Sequence, residues 1–499
     1  MIEKVALLEL SNSALRMSLY KIVEGEYFIP LKQLSESIGM DRHIEGQQLI
    51  KSPKFRECQS IIGRFKKIAE AEGVSRYLPF ASQTITSAKN YQSFVDELGR
   101  TVGLSFKILT DEEEVGALYS ATTNMLDVPK GIIVNIASNS TRILHYNRRI
   151  VLDQVTIPFG SCSIESGFDV KKELEEKAPF LKTLDPEAVM VGIGETMTSF
   201  GKLARKITKY PVDIEHNYQA DLKTFSQVHD FLKGLDPEKR QKLKGISDQS
   251  ANSIFAGLGI AKAILEVSNI KQISISKGYR NTGLMFQTVM PSTVDRPLPD
   301  LLVHSLDTTM NHAGLSKKEA HRHYDLALIL FKQLKALHRL PRTYARMLKT
   351  SAYLNGLSAT TGVTNHEKGN YALLTNLPIY GLTHREQIMS AFVSSCKKWE
   401  DFNTAEWVKY NSIMNEGDLE AVKKLANILT LAGVMNIRKQ DIVKDITCDI
   451  LGDSVIIKLV ADPDGKAKLD HDVCALEVFY AGKLASEFTK AFGKNLDVL

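Results

Sequence analysis

The sequence predicts an α/β protein of two similar lobes facing each other across a cleft, followed by a helical domain and a small α+β unit. Three observations carry this prediction. A strand, a Ser-Asn-Ser tip and a returning strand with an arginine occur twice, at residues 4–22 and 131–147, and self-similarity of this kind marks a duplicated unit. Around the two copies, strand patterns alternate with helical ones, the texture of layered α/β proteins. From about Leu301 to about Lys439 long helical periodicities take over, with few strand signals.

Taken in order, residues 4–22 read as an apolar strand, a turn at Ser11-Asn12-Ser13 and a second strand, LRMSLYKI. Ser52–Glu72 and Tyr91–Val102 place apolar residues at helical spacing with charges between them, and Ser105–Leu109 reads as a strand. The apolar run Gly131–Ile136 then leads into Ser138-Asn139-Ser140, and the chain returns through Arg142-Ile143-Leu144. The lobe boundary falls near Asp127-Val128-Pro129, giving lobes over 1–127 and 128–300. Two such lobes enclose a cleft, where proteins of this class usually bind a ligand. A helical domain over 301–439 opens with Lys317–Leu337, and His321-Arg322-His323 reads as an exposed face of that helix. The unit over 440–499 offers a strand (SVIIKLVA), a turn at Asp462-Pro463-Asp464-Gly465, another strand and a closing helix, ALEVFYAGKLASEFTKAF.

Composition narrows the class of protein. At 499 residues the chain exceeds one compact core, and the size prior is about three or four domains. A hydrophobic content of 43% and a charged content of 24% suit a globular chain. The net charge of +5 is spread over 63 basic and 58 acidic residues, so no field specific for nucleic acid follows. Five scattered cysteines without a C-x-x-C pair suggest neither disulfides nor zinc, and point to a reducing cytoplasm. The N-terminal apolar stretch breaks at Glu9, too early for a signal peptide. No window reads as the eighteen or more apolar residues that a spanning helix needs, so a cytoplasmic protein without a membrane partner is expected.

Phosphate chemistry in such a cleft calls for tight hairpins whose backbone N–H groups approach phosphate oxygens, an approach that glycine permits. Both hairpins here are poor in glycine. LLELSNSALRM nonetheless resembles the opening motif of the exopolyphosphatase and guanosine pentaphosphate phosphatase (Ppx/GppA) family, and IVNIASNSTRI resembles its second phosphate motif. FASQTITSAKNYQSFVDELGRTVGL and FKILTDEEEVGALYSA are similar to the segments leading to and carrying the family's catalytic glutamate. VTIPFGSCSIE, VGIGETMTSFGKLAR and SISKGYRNTGL follow in the family's order, so the resemblance spans roughly residues 1–300.

The resemblance implies a duplicated actin-like, sugar-kinase-like fold. It implies hydrolysis of terminal phosphate from polyphosphate or guanosine pentaphosphate, Mg2+ as cofactor, and a homodimer. It places Glu114 as the general base that activates water, and Glu9 and Asn135 at the metal. Ser11, Ser13, Arg16, Ser140, Thr141, Gly192 and Gly194 fall at the phosphate. The helical domain resembles the HD-like domain of longer members with its signature lost. Leu354-Asn355 stands where a His-Asp pair is expected, and Glu319 where a further histidine is.

The chain departs from the family at several independent positions. Glu9 replaces an aspartate, Asn135 replaces the aspartate expected to help hold the metal, and Arg142 replaces a glutamate. Ala137, Ser138 and Asn139 replace glycines, Thr86 an arginine and Glu195 a glycine. Losing a carboxylate weakens a hard-cation site, and Cβ atoms on a phosphate loop crowd the anion. The acidic run Asp111–Glu114 also suits a plain helix N-terminus, where the macrodipole favours it. Two functions are therefore expected: a pseudoenzyme that binds a phosphorylated ligand or a protein partner, or an active metal-dependent exopolyphosphatase using Glu114.

Overall fold

The computed structural model describes residues 2–40, 49–164, 168–243, 246, 248–293, 296–461 and 473–499. They fall into two compact units, residues 1–204 with 218–299 and residues 205–217 with 300–499.

In the first unit, β1 (Ile2–Leu10) pairs antiparallel with β2 (Ala14–Val23), with Leu10 opposite Leu15, so Ser11-Asn12-Ser13 forms the tip. β3 (Tyr27–Ser37) extends the meander. The chain crosses through α1 (Ser52–Ala71) to β4 (Arg76–Ala81), parallel to β1, and through α2 (Tyr91–Val102) to β5 (Lys107–Ile108). The sheet order is β3-β2-β1-β4-β5. α1 buries Cys58, Ile61, Ile62, Phe65 and Ala69, one helical stripe, against this sheet's core.

The second copy repeats the pairing. After α3 (Asp111–Thr123), β6 (Lys130–Ile136) and β7 (Thr141–Asn147) form an antiparallel pair with Ile136 opposite Thr141, and β8 (Ile150–Ile157) comes next. β9 (Val189–Ile193) lies parallel to β6 and to β11 (Gln272–Ile275), and β10 (Tyr218–Asp221) closes the far edge. Among the helices of this copy are α4 (Gly194–Ile207), α5 (Asp248–Ser268) and α6 (Arg280–Val289). β1 and β6 are buried along most of their length, as central strands covered on both faces are.

α5 corrects one expectation. Its residues Ala251–Ser268 are long and apolar enough, by length and composition, to cross a membrane, although no such window was expected. Of that window 61% is buried inside the protein, which gives its apolar character a packing role.

In the second unit, α7 (Leu301–Ala313), α8 (Lys317–Gln333), α9 (Ala345–Tyr353), α10 (His384–Ser395) and α11 (Asp418–Val434) supply most of the helical framework. Leu330, Leu348, Ile388 and Leu425 belong to one core. That core continues through Ile446, Val455, Ile457 and Phe488 into a sheet of order β12-β13-β14, formed by β12 (Asp445–Leu451), β13 (Ser454–Val460) and β14 (Asn495–Val498). The expected closing helix is two helices, α12 (Ala475–Gly482) and α13 (Ala485–Phe492). The third strand comes after them, at the C-terminus. The turn expected at Asp462–Gly465 lies outside the described residues.

The His321-Arg322-His323 face is only partly exposed. His323 is buried, with its Nε2 2.9 Å from the Leu429 carbonyl oxygen, because α8 turns that residue toward α11. Arg322 pairs with Asp441 at 2.6 Å.

Candidate functional site

The site is built where α3 meets α6. α3 starts with a capping box: Thr110 Oγ1 accepts from Glu113 N at 3.2 Å, and Glu113 Oε2 accepts from Thr110 N at 3.0 Å. The acidic run therefore divides. Glu113 caps the helix and pairs with Lys107, Glu112 is exposed, and Glu114 is 1% exposed and turned inward. α6 reaches it because Gly283 packs directly on α3, where a Cβ would lie 1.7 Å from the Ala117 carbonyl oxygen. This backbone contact delivers Arg280, the first residue of α6, to Glu114.

The two oxygens of the Glu114 carboxylate are held unequally. Oε1 accepts from Ser82 Oγ at 2.7 Å, Gln83 N at 2.9 Å and Arg280 Nη1 at 2.9 Å. Oε2 lies 3.2 Å from Arg142 Nη2. Arg142 turns its Nε and Nη2 to Asp111 Oδ1 at 3.1 and 2.9 Å, and Thr156 Oγ1 donates to Asp111 Oδ2 at 2.6 Å. Arg280 Nη2 donates to Glu9 Oε1, which also lies 3.2 Å from Arg16 Nη1. Three carboxylates, Glu9, Asp111 and Glu114, thus meet three guanidiniums, Arg16, Arg142 and Arg280.

Burial alone would raise the Glu9 carboxyl. The Arg280 and Arg16 guanidiniums beside it outweigh that and hold it below the ordinary carboxylate range. Burial likewise works against the Arg280 charge, and Glu9, Tyr279 and Glu114 reverse the effect, so that guanidinium is firmly protonated. A cation at a helix N-terminus faces the positive end of the macrodipole. The two carboxylates offset that cost.

Of the residues expected from the sequence, Glu9, Arg16 and Glu114 come together. Arg142, noted as a departure, joins them, and it faces the protein's own carboxylates, Asp111 and Glu114. Asn135 sits opposite Arg142 in the β6–β7 register and against Gly194, whose Cβ would lie 2.6 Å from Asn135 Oδ1. Gly194 has φ +77, which a side chain would strain. Gly192 is explained by packing, since a Cβ there would meet Met197 at 2.7 Å.

Hydroxyls at the first tip and at the start of β7 hold the hairpins. Ser11 Oγ donates to the Ala14 carbonyl oxygen at 2.9 Å and lies 3.4 Å from Ser13 Oγ, while Thr141 Oγ1 donates to the Phe159 carbonyl oxygen at 2.8 Å. Asn12 Nδ2 donates to Ser87 Oγ at 2.9 Å, which closes the first tip onto the turn at 83–87. Ser140 pairs through its backbone, its carbonyl accepting from Ala137 N at 2.9 Å. Sequence reasoning missed Arg280, Asp111 and Ser82 as site residues.

The donor set does not fit a magnesium ion. Such a site needs one or two available carboxylates, yet guanidiniums flank both oxygens of Glu114 and Glu9 Oε1 takes two arginines, which leaves Glu9 Oε2 as the one oxygen of these two carboxylates without a partner among the described residues. Asn135 brings no charge. Among the described residues, no group of three or more His, Cys, Asp or Glu side chains is arranged to hold a metal ion. A cavity of about 10 Å3, walled by Asn135, Arg142, Val115, Leu118 and Ile133, borders this network. It is no larger than a single water requires.

The model of a family described as the Ppx/GppA phosphatase family matches residues 22–290, more than half of the chain. The chain is 20% identical over 456 residues to a guanosine-5'-triphosphate,3'-diphosphate pyrophosphatase of Pseudoalteromonas atlantica, covering 88% of this chain and 87% of that protein. It is 18% identical over 304 residues to exopolyphosphatase 1 of Mycobacterium leprae, covering 57% of this chain and 89% of that one. Among solved structures, the Aquifex aeolicus Ppx/GppA family member superposes with a TM-score of 0.52 at 21% identity, covering 58% of this chain and 99% of that one. At that identity the likeness is one of fold.

Proposed function

The chain belongs to the Ppx/GppA phosphatase family, and from that premise we propose that it is an exopolyphosphatase-type member with catalysis weakened or lost. What remains is a regulatory role in binding a phosphate ligand or a partner. The ligand class is polyphosphate or guanosine pentaphosphate, as in the relatives. One observation carries the reading: Glu114, the residue matched to the general base, has Arg280 on one carboxylate oxygen and Arg142 on the other. A general base needs a lone pair within hydrogen-bond reach of the attacking water. Here Oε1 accepts from a guanidinium, a hydroxyl and a backbone N–H, and the Arg142 guanidinium stands 3.2 Å from Oε2, where the water would have to approach.

The hairpins support the same reading. The Ser11 and Thr141 hydroxyls are hydrogen-bonded within the protein, and Ser, Ala and Asn stand where backbone would otherwise approach a phosphate. The helical unit is read as a descendant of the HD-like domain without its metal signature, and the homodimer as a property shared with the family.

One observation favours the active alternative. Glu9 Oε2 is buried without a hydrogen-bond partner, an atom that an incoming cation would satisfy. Phosphate release from polyphosphate and guanosine pentaphosphate, with magnesium or manganese, separates the two readings when wild type and Glu114→Ala are run in parallel. The proposal expects at most trace release from either protein, at concentrations where the same ligands still bind. Release by wild type that vanishes in Glu114→Ala establishes the active hydrolase instead.

A further inference from the structure

Within the helical unit, two stripes of side chains line one cavity. On α8, Tyr324, Leu328, Phe331 and Lys332 recur at helical spacing, and Arg342, Ala345, Arg346 and Lys349 do the same leading into and along α9. The cavity measures about 750 Å3 and is also lined by Leu302 and Leu340, a volume within the range of small-molecule sites.

Its charge is one-sided. Lys332, Lys335, Arg342, Arg346 and Lys349 line it with a single carboxylate, Asp300, whose Oδ1 accepts from Val303 N at 3.0 Å as the cap of α7. Arg346 is held by the Gly381 carbonyl and lies 3.5 Å from Glu386, and Lys349 Nζ lies 5.2 Å from the Tyr324 ring centre. Lys332, Lys335 and Arg342 have no ion-pair partner among the described residues. Elsewhere in this unit the pattern differs, with Arg322 on Asp441, Arg385 on Asp418 and Arg438 on Glu477. A second cavity, of about 970 Å3, sets Lys368, Lys397 and Lys398 against Glu367, Asp401 and Glu406, and so exerts no comparable pull on an anion.

Clustered like charges repel one another until a multivalent anion neutralises them. Lysine and arginine are the side chains suited to phosphate, arginine through its bidentate fork. The cavity also has an apolar wall at Leu328, Phe331 and Leu340, which an inorganic anion would leave unfilled.

We infer that this cavity binds an organic phosphate, an anion of two or more phosphates joined to an apolar or planar group, without a metal ion. Lys332, Lys335 and Arg342 hold the phosphates, and the apolar wall takes the organic group. This inference is independent of the reading of the cleft.

The test is calorimetry on the full chain with a chelator present, using adenosine triphosphate and inorganic tripolyphosphate as probes of similar charge. Adenosine triphosphate is expected to bind at least about tenfold more tightly than tripolyphosphate. Lys335→Glu with Arg342→Glu should weaken it by at least about tenfold, and Arg16→Ala, in the cleft, should leave it unchanged. Leu328→Trp places a bulky ring on the apolar wall, where the organic group would sit, without changing charge, so it decides the question if the double variant fails to fold. Absence of binding at millimolar probe overturns the inference. So does equal affinity for the two probes, or binding lost in Arg16→Ala and kept in the cavity variants.

Discussion

Replacing Arg280 with alanine removes the one side chain that touches both Glu9 and Glu114. After the change Glu114 keeps Ser82, Gln83 and Arg142. Glu9 keeps Arg16, 3.2 Å away and itself 31% exposed, and the Asn281 side chain. Breaking a buried ion pair by removing one partner costs about 3–5 kcal/mol. The contacts left to Glu114 place this variant at the lower end, about 3 kcal/mol at neutral pH.

The dependence on pH has a definite sign. The folded-state pKa of Glu9 lies below its ordinary 4.5, so in the wild type its contribution is present above 4.5 and is lost as pH falls through the folded value. Without Arg280, burial raises that carboxyl, which then takes up a proton in the folded state at higher pH. The deficit of the variant should therefore shrink between pH 7 and pH 4. Urea unfolding followed by far-ultraviolet circular dichroism measures it, with hydrogen exchange of α3 and α6 to locate it. Tryptophan fluorescence is an internal control, because Trp399 and Trp407, the two tryptophans of the chain, both lie in the second unit. A loss below about 1 kcal/mol, the range of an exposed pair, or a loss independent of pH, refutes the argument.

Two further outcomes rest on the same kind of geometry. Gly283→Ala places a Cβ 1.7 Å from the Ala117 carbonyl oxygen, so α6 must move away from α3. Overpacking of this kind costs about 1–3 kcal/mol, and an unchanged thermal midpoint would count against the close contact. In the second unit, burial pushes His384 down to about 4 from 6.5, with Tyr210 Oη 3.0 Å from its Nδ1. The unfolded chain takes up a proton below pH 6.5 and the folded one does not until about 4, so stability should fall across that window by about 3 kcal/mol. A urea midpoint by tryptophan fluorescence that stays flat from pH 7 to pH 4.5 would contradict this.

Much of the fold was legible because its signals are local. Strand, Ser-Asn-Ser tip and strand are set by side-chain alternation and turn chemistry, and Tyr91–Val102 is a helix with the predicted bounds, ended by Gly103 in the left-handed conformation. Half of the acidic run was legible too. Glu113 behaves as helix-capping chemistry predicts, while the inward turn of Glu114 depends on a partner far along the chain. Arg280 lies within SISKGYRNTGL, yet nothing in that segment marks it as a site residue beyond a faint signal, a lone cation opening a helix at the end where the dipole disfavours it. Its meaning depends on Gly283 riding on Ala117, which brings together Arg280 and Glu114, two residues 166 apart in sequence. Of the small sheet only β13 was expected; β12 and β14 were both missed, Asn495–Val498 because it is too short to carry a periodicity, and the strand expected after the Asp462–Gly465 turn falls outside the described residues.

The equal match of guanidiniums and carboxylates makes this network resistant to single charge changes. Restoring aspartate at Asn135 alone adds a fourth negative charge to a neutral cluster, and restoring glutamate at Arg142 alone leaves Asp111 and Glu114 without their shared cation. Each such single change leaves charge unbalanced in a buried network, so converting it to a carboxylate-rich site requires coordinated substitutions.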